Sequence, residues 1–572
     1  MNIKRQQIYA LLILISTSIM FGRIMSIDRV DYKELQNYKW RLNNKLYKDK
    51  KDRLKARLDR GEIAHESYIR EMHKTNRELV KDALYSTPIL SGNDRSRWAT
   101  IRALVEPDMR VKRKIKDKNG NEIEQIVWYA IDKVQSEKGF DTIDMVKHAL
   151  PDDLNNGYLY SSKPPLLPTL MAVPYAVIYH GSGLIQKYLF NATEQQNSNV
   201  ALPSEVSDFL EIRDHIFVCG TDKIVKPISL GDTEDRYFVV RTMLVLLNLI
   251  PIVFCWVLLS RLVERFGTSD WGRIFCVAFI CFGTFLSTFI VTLNNHIPAM
   301  ICVTISSYTA VRIFFDGEKR LRYFAAAGLF GVFAFACDMP AIAFGFVLGC
   351  LLLWKFPRQT LIGFVPAAII VFAGFFVTNY IAHHDIRPAY GNKDWYFFEY
   401  QRNPDKNSQP VKSYWHNPQG VDKGEKSRLV YFLHATIGHH GLFSLTPVWI
   451  LSFAGIFMWL FKKDDIKLRL TAAIILAISL VVISFYLLLM GQNQRSYGGV
   501  SSALRWLFWL IPLWCVPLVG AADKLSNYTI GRGICLILLI LSIFSVSYPV
   551  WNPWTHPWIY QLMIYLNIPV LV

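Results

Sequence analysis

The chain has 572 residues, is 52% hydrophobic and 14% aromatic, and carries a formal net charge of +17. Its apolar runs repeatedly reach the roughly 20 residues that cross a bilayer. This excludes a soluble two-domain protein, in which charge breaks such runs sooner. In a soluble chain the charge would suggest nucleic acid, but here the excess lies in short loops beside apolar spans, where the positive-inside rule accounts for it and no nucleic-acid partner is expected. There are nine cysteines. Cys255, Cys276, Cys281, Cys302, Cys337, Cys350, Cys515 and Cys535 lie in or beside spans, and Cys219 lies in a long polar loop. No CxxC or Cys/His spacing occurs, so neither a disulfide framework nor a zinc site is expected.

Lys4 and Arg5 precede an apolar run over 8–24. No small-residue cleavage pattern follows, so 1–26 is read as an uncleaved first span with a cytoplasmic N-terminus. A large external loop, 27–237, comes next. Its first part, 27–84, is dense in Lys, Arg, Glu and Asp without a clean heptad; it predicts a charged helical insertion broken near Gly61, either a solvated surface or a docking arm. Ser91 to Trp98 forms a polar turn. Trp98, Ile101, Leu104 and Val105 have helical spacing and predict a short amphipathic helix over 97–106. Lys118-Asn119-Gly120-Asn121 predicts a β-hairpin between 111–115 and 123–131. Tyr160-Ser161-Ser162-Lys163-Pro164-Pro165-Leu166 opens an apolar stretch, and Asn191-Ala192-Thr193 matches a glycosylation acceptor.

Loop charge decides whether 166–185 crosses the membrane. If it lies in the interface as a juxtamembrane helix, the loops holding Arg261/Arg265/Arg273, Arg312/Lys319/Arg320/Arg322, Lys355/Arg358, Lys462/Lys463/Lys467/Arg469 and Lys524/Arg532 all face the cytoplasm. Spans are then expected at 238–260, 274–293, 297–314, 323–337, 340–354 and 361–381, which makes 238–381 helices 2–7. Helices 8–11 fill 442–550, at 442–461, 470–490, 504–520 and 533–550. The predicted fold is an all-α polytopic membrane protein of about eleven spans, with a second external loop at 382–441 and an external tail at 551–572. No repeat of solenoid or inverted type is found.

Polar groups on the outer side fall into three sets. Asp94 stands with Arg95, Arg97 and Trp98. An acceptor hydroxyl needs a carboxylate to take its proton, and flanking Arg keeps that carboxylate ionised; the plain alternative is a helix cap, for which Asn93 and Ser96 also qualify. In Lys163-Pro164-Pro165, proline suits a first helical turn and would hold Lys163 at headgroup depth, facing a lipid phosphate or merely snorkelling. The third set lies at span ends: His296, Asp338, His434, His439, His440, Arg495 and Arg505, where ionisable groups near membrane depth are candidates for function. His439-His440 has no carboxylate at ligand spacing, so no metal is expected.

Together these residues resemble the GT-C membrane glycosyltransferases, particularly the protein O-mannosyltransferase and aminoarabinose (lipid A) transferase branch. Asp94-Arg95-Ser96-Arg97-Trp98 looks like the family's catalytic Asp on an Arg/aromatic helix, and Lys163-Pro164-Pro165-Leu166 like its juxtamembrane helix. Arg241, Asn295-His296-Ile297-Pro298, Gly328-Leu329…Asp338-Met339-Pro340 and Arg505…Pro512 resemble later family positions, with Asp338 where the family has Lys. The charged insertion separates Asp94 from the first span, which leaves Asp28 a rival for the base.

The resemblance implies a GT-C-like fold with juxtamembrane helices in the first external loop, and a polyprenyl-phosphate sugar donor entering from membrane lipid without a cofactor. Asp94 would be the base. Lys163, Arg505 and Arg97 would neutralise the phosphate, and Arg95, Trp98, Pro164, Pro165, His296, Asp338, His439 and His440 would line the substrate site. The expected activity is transfer of a sugar to an envelope acceptor hydroxyl (lipid, glycan or protein) on the outer side of a cell membrane, such as a bacterial inner membrane. The alternatives are a transporter or flippase of a lipid-linked sugar, which would place charge at mid-span, and a non-catalytic membrane partner. Sugar, acceptor and oligomeric state stay open.

Overall fold

The computed structural model describes residues 3–27, 48–72, 91–116, 119–136, 140–196, 227–231, 235–401, 409–550 and 552–566, with backbone only over 186–196. Asp28, Cys219 and much of the 27–84 insertion lie outside the described residues. Within that insertion, two helical stretches flank a turn at Gly61, whose φ of +69° favours glycine.

The chain is 70% helical with few strands. Its principal helices are α1 (Ile3–Met25), α2 (Gly92–Val105), α3 (Leu166–Gln196), α4 (Arg236–Phe266), α5 (Asp270–Phe282), α6 (His296–Phe314), α7 (Leu321–Cys337), α8 (Met339–Lys355), α9 (Pro357–His383), α10 (Val448–Leu460), α11 (Ile466–Leu489), α12 (Arg505–Ser526) and α13 (Thr529–Ser547). Seven of them, α1, α4, α6, α9, α11, α12 and α13, are long and apolar enough to cross a membrane. This is a membrane-spanning protein. α7, α8 and α10 are apolar but shorter. Close approach fixes α7 against α9: a Cβ on Gly328 would stand 2.3 Å from the Phe364 carbonyl oxygen.

Several expectations need correction. The run 274–293 is not one helix: α5 ends at Phe282, capped by Gly283, and only a 3-10 turn at Phe289–Val291 follows. Thr284, Ser287, Thr288 and Thr292 interrupt the apolar pattern and are buried. Backbone freed from a helix inside an apolar bundle needs partners. Arg23 supplies them to the carbonyls of Ser287 and, at 3.0 Å, Thr288, and reaches Val550 O at 2.7 Å. Asn248 Nδ2 donates to Ile290 O and Thr292 O at 2.9 and 2.8 Å. The second correction concerns α2, which is not amphipathic but buried from Asp94 through Ala103. Arg97 and Arg102 bond within the protein; Arg102 and Glu106 form a fully buried pair at 2.6 Å, and Tyr175 donates to Glu106 at 2.5 Å.

α3 runs for 31 residues, well past the expected 166–185, and is not among the seven long apolar helices. The backbone of Asn191 is helical within it. The cysteines at 255, 276, 281, 302, 337, 350, 515 and 535 are free.

The basic loops gather at one end of the bundle. Arg5, at the start of α1, pairs with Glu264 and Asp270. Arg265 pairs with Asp316 at 2.8 Å, Lys467 lies over the Phe315 ring, and Asp523 accepts from Thr268 and Ser269. Arg23, at the other end of α1, marks the opposite end.

Three two-stranded antiparallel ribbons lie in the polar segments. β1 (Val111–Lys116) pairs with β2 (Glu122–Val127) across the Asn119-Gly120 turn, β3 (Met145–Leu150) with β4 (Asp153–Ser161), and β5 (Glu399–Tyr400) with β6 (Val411–Lys412). The second polar segment docks on β3. His148 Nε2 meets His383 Nδ1 at 3.0 Å, and the His148 ring stacks on Tyr160 and Trp395 with centroids 4.4 and 4.1 Å away. Trp415 Nε1 donates to Ile143 O at 3.1 Å.

Candidate active site at the end of the bundle

α2 begins with a reciprocal cap. Asp94 is its third residue; the Asp94 amide donates to Ser91 Oγ at 3.2 Å, and the Ser91 hydroxyl donates to Asp94 Oδ2 at 2.8 Å. Such a cap fixes both the helix start and the carboxylate. The cap is Ser91, not Asn93 or Ser96. Asp94 is fully buried, and its Oδ1 has no hydrogen-bond partner. Burial pushes its pKa up to about 7, while Ser91, Arg97, Arg505 and the nearby Trp554 indole pull the other way.

Arg97, one turn on, is held from all sides. It donates to Asn93 Oδ1, to Asn93 O at 3.1 Å, to Leu293 O at 3.4 Å and to Asn295 Oδ1 at 2.7 Å. The irregular chain after α5 is what lets it reach those groups. Asn294 Oδ1 then accepts from the His296 and Ile297 amides at 2.8 and 3.0 Å and so starts α6.

Arg505, at the head of α12, is the second buried guanidinium. Its Nε and Nη2 donate to Gly498 O at 3.1 and 2.8 Å, and its Cζ lies 4.9 Å from the Trp554 ring centre. Tyr497, Gly498 and Gly499 have φ of 56°, 88° and 79°. This left-handed run, strained at Tyr497, turns the Gly498 carbonyl to Arg505. His296 joins Arg505 to Asp338: Nε2 lies 3.2 Å from Arg505 Nη1 and Nδ1 lies 2.7 Å from Asp338 Oδ2. One neutral tautomer satisfies both contacts, with the proton on Nδ1 donated to Asp338 and Nε2 accepting from Arg505. Tyr486 OH reaches Asp338 Oδ1 at 3.4 Å.

Lys163 faces a different acid. Its Nζ lies 3.3 Å from Asp144 Oδ1 and 5.7 Å from the centre of the Tyr390 ring. Asp144 O accepts from Ser96 Oγ at 2.7 Å and from the Ser162 amide at 3.1 Å, which locks the start of β3 to α2. The charge of Asp144 also acts on Arg97 and Arg505. Pro164 and Pro165 lead into α3, with Pro165 O accepting from the Thr169 amide at 3.0 Å. Arg95 is buried on α2, and Trp98 is part of the main apolar core.

His439 and His440 pack on the Tyr497 side of the turn whose Gly498 carbonyl holds Arg505. His439 stacks on His434 with centroids 3.9 Å apart, His440 on Tyr497 at 4.8 Å, and His556 on Tyr560 at 4.0 Å. Burial pushes His439 down to about 3, and His440 well below the usual imidazole range. Among the described residues no group of His, Cys, Asp or Glu side chains is arranged to hold a metal. Arg495 braces a loop through Glu425 O and Lys426 O, both at 2.7 Å.

Asp94, Arg97, His296, Asp338 and Arg505 thus converge, and Lys163 joins them through Asp144. Sequence reasoning missed Asp144 and Trp554. A signal for Asp144 exists: the Pro151-Asp152 turn between alternating runs marks the β3–β4 hairpin, whose Met145–Ser161 pairing brings Asp144 beside Ser162 and Lys163. Chemically, the site offers a carboxylate with pKa near neutrality beside buried guanidiniums, so it is suited to proton abstraction next to a developing anion. No protein-family model, no curated protein and no solved structure matches this chain.

Proposed function

We propose that this protein is a multi-pass GT-C-type glycosyltransferase of the cell membrane, moving a sugar from a polyprenyl-phosphate donor to an envelope acceptor hydroxyl. The observation that carries this reading is the buried Asp94, with one unpaired oxygen, beside Arg97 and Arg505 at the end of the bundle away from the basic loops. The positive-inside rule then puts the N-terminus in the cytoplasm and the site on the outer side. The acceptor oxygen attacks the anomeric carbon and its proton passes to Asp94 Oδ1. The anomeric C–O bond breaks, and its electron pair leaves with the phosphate, which Arg505, Arg97 and Lys163 neutralise. Asp338 and His296 orient Arg505 for that task.

A transporter or flippase is the second reading, favoured by the broken segment after α5, since transporters use discontinuous helices. Arg23 and Asn248 already occupy four of the freed carbonyls, which argues for a structural break. The test is release of radiolabelled sugar from a polyprenyl-phosphate donor by the protein in liposomes. Asp94→Asn should abolish transfer with the protein still folded; full activity in that variant removes Asp94 as the base, and donor movement without transfer favours the transporter.

A further inference from the structure

A cavity lies away from the Asp94 constellation, between the two polar segments, with a volume of about 420 Å³. That is within the ~300–1,000 Å³ range of small-molecule sites, but the lining is unusually polar. One wall is the short helix Asp132–Ser136 with β3 and β4; the other is the β5–β6 ribbon. Asp132, Ser136, Lys147, Glu399 and Tyr400 bring a carboxylate, a hydroxyl, an ammonium, a second carboxylate and an aromatic ring to one space. Lys147 Nζ bridges the walls by donating to Glu399 O at 3.0 Å. Asp132 Oδ2 accepts from the Leu159 amide at 3.0 Å, which uses one of a carboxylate's roughly four acceptor positions. Burial raises Asp132 to about 6, so a ligand hydroxyl would meet an acid that desolvation has made a strong acceptor.

We infer that this cleft binds a saccharide segment of the acceptor, on the Asp132 carboxylate and the Tyr400 ring. Mixed acid, hydroxyl and ammonium groups around an aromatic face match a ring bearing several hydroxyls better than an apolar ligand. An extended polypeptide would instead add a strand at a free sheet edge. The β4 edge is already taken: Ile131 N donates to Leu159 O at 2.8 Å, Asp132 takes the Leu159 amide, and Ala130 bridges Tyr160. Register links the cleft to the site. Lys147 pairs with Leu159, and two residues further along the same face Met145 pairs with Ser161. Ser161 Oγ is 2.5 Å from Ser96 Oγ on α2. At ~3.3 Å per residue the step from Leu159 to Ser161 is only about 7 Å. The cleft wall and the residue that meets the helix carrying Asp94 are therefore neighbours on one strand.

The identity of the ligand as an acceptor rests on the transferase reading; its binding does not. The full chain in lipid nanodiscs is titrated with chitotetraose, mannotetraose, maltotetraose and a Ser/Thr-rich peptide of similar length. Saturable binding of at least one tetrasaccharide is expected, weakened at least about tenfold by Asp132→Asn, which keeps an acceptor for Leu159, and by Ser136→Trp, which fills the space from an exposed position. Asp94→Asn should leave it unchanged. Thermal unfolding at the wild-type temperature shows that each variant is folded. No tetrasaccharide binding, binding insensitive to both cleft variants, or binding of the peptide alone overturns the proposal. Saccharide binding with no sugar transfer overturns the transferase reading and leaves the cleft standing.

Discussion

Lys163 Nζ lies 3.3 Å from Asp144 Oδ1, so the lysine of the Lys-Pro-Pro turn is tied to the start of β3. Both side chains are mostly buried, with relative exposures of 11% and 16%, so removing one partner leaves the other charge poorly solvated and unpaired. Lys163→Met and Asp144→Asn should each reduce transfer, and the double variant should lose less than the two effects added together. A coupling of about 0.5–3 kcal/mol is expected from a double-mutant cycle on kcat/KM; strict additivity places the two residues in independent roles.

Asp94 sets a pH dependence of known sign. Its folded pKa of about 7 is above the unfolded value of about 3.9, so the folded state binds this proton more tightly. Folding stability therefore falls as pH rises from about 4 to about 7 and stays low above that. Asp94→Asn removes the effect: its Tm should exceed that of the wild type more at pH 8 than at pH 4. Transfer should drop by about 10²–10⁴-fold, the range of a lost general base. In the wild type, kcat/KM should rise as pH passes through 7. A pH-independent Tm difference contradicts the buried, proton-binding carboxyl.

Arg505 makes contacts that only a guanidinium can make at once: Nε and Nη2 to Gly498 O, and Nη1 to His296 Nε2. Lysine has the charge without the planar fork. Arg505→Lys should not restore the activity lost in Arg505→Gln, and both should raise KM for the lipid-phosphate donor. Asp338→Asn, acting through His296, should lower kcat by about tenfold or more with a smaller change in donor affinity, as second-sphere partners do. Rescue of donor binding by lysine would reduce Arg505 to a point charge.

Arg23 tests the fold apart from the chemistry. It donates to the carbonyls of Ser287, Thr288 and Val550, and each buried polar group left unpaired costs about 1–3 kcal/mol. Arg23→Leu should lower Tm in nanodiscs markedly and expose 283–295 to hydrogen exchange. A neutral Arg23→Leu would mean that the break after α5 needs no brace.

Much of the architecture was legible because its signals are local. Apolar run length announced the seven long apolar helices though not the expected count of eleven spans, Asn-Gly announced the β1–β2 turn, and Lys-Pro-Pro announced the head of α3. Failures came where a distant group overrode local pattern. Residues 274–293 are apolar enough for one helix, but Arg23 and Asn248 stabilise a break there. The run 97–106 has the spacing of an amphipathic helix, but Asn295 takes Arg97 and Glu106 takes Arg102 within the fold. Asp144 has no local motif; it becomes a site residue only through strand register.

Residue order alone determined that this chain lives in a membrane, which loops carry its positive charge, and that Asp94 and Lys163 stand at polar turns, since hydropathy and charge act over neighbouring residues. Only the tertiary structure decided that Arg97 and Arg505 act on Asp94, that His296 links Arg505 to Asp338, that Lys163 faces Asp144, and that His440 packs on Tyr497. Those outcomes depend on which buried donor meets which buried acceptor across the bundle, and that choice is made by the packing of helices far apart in the chain.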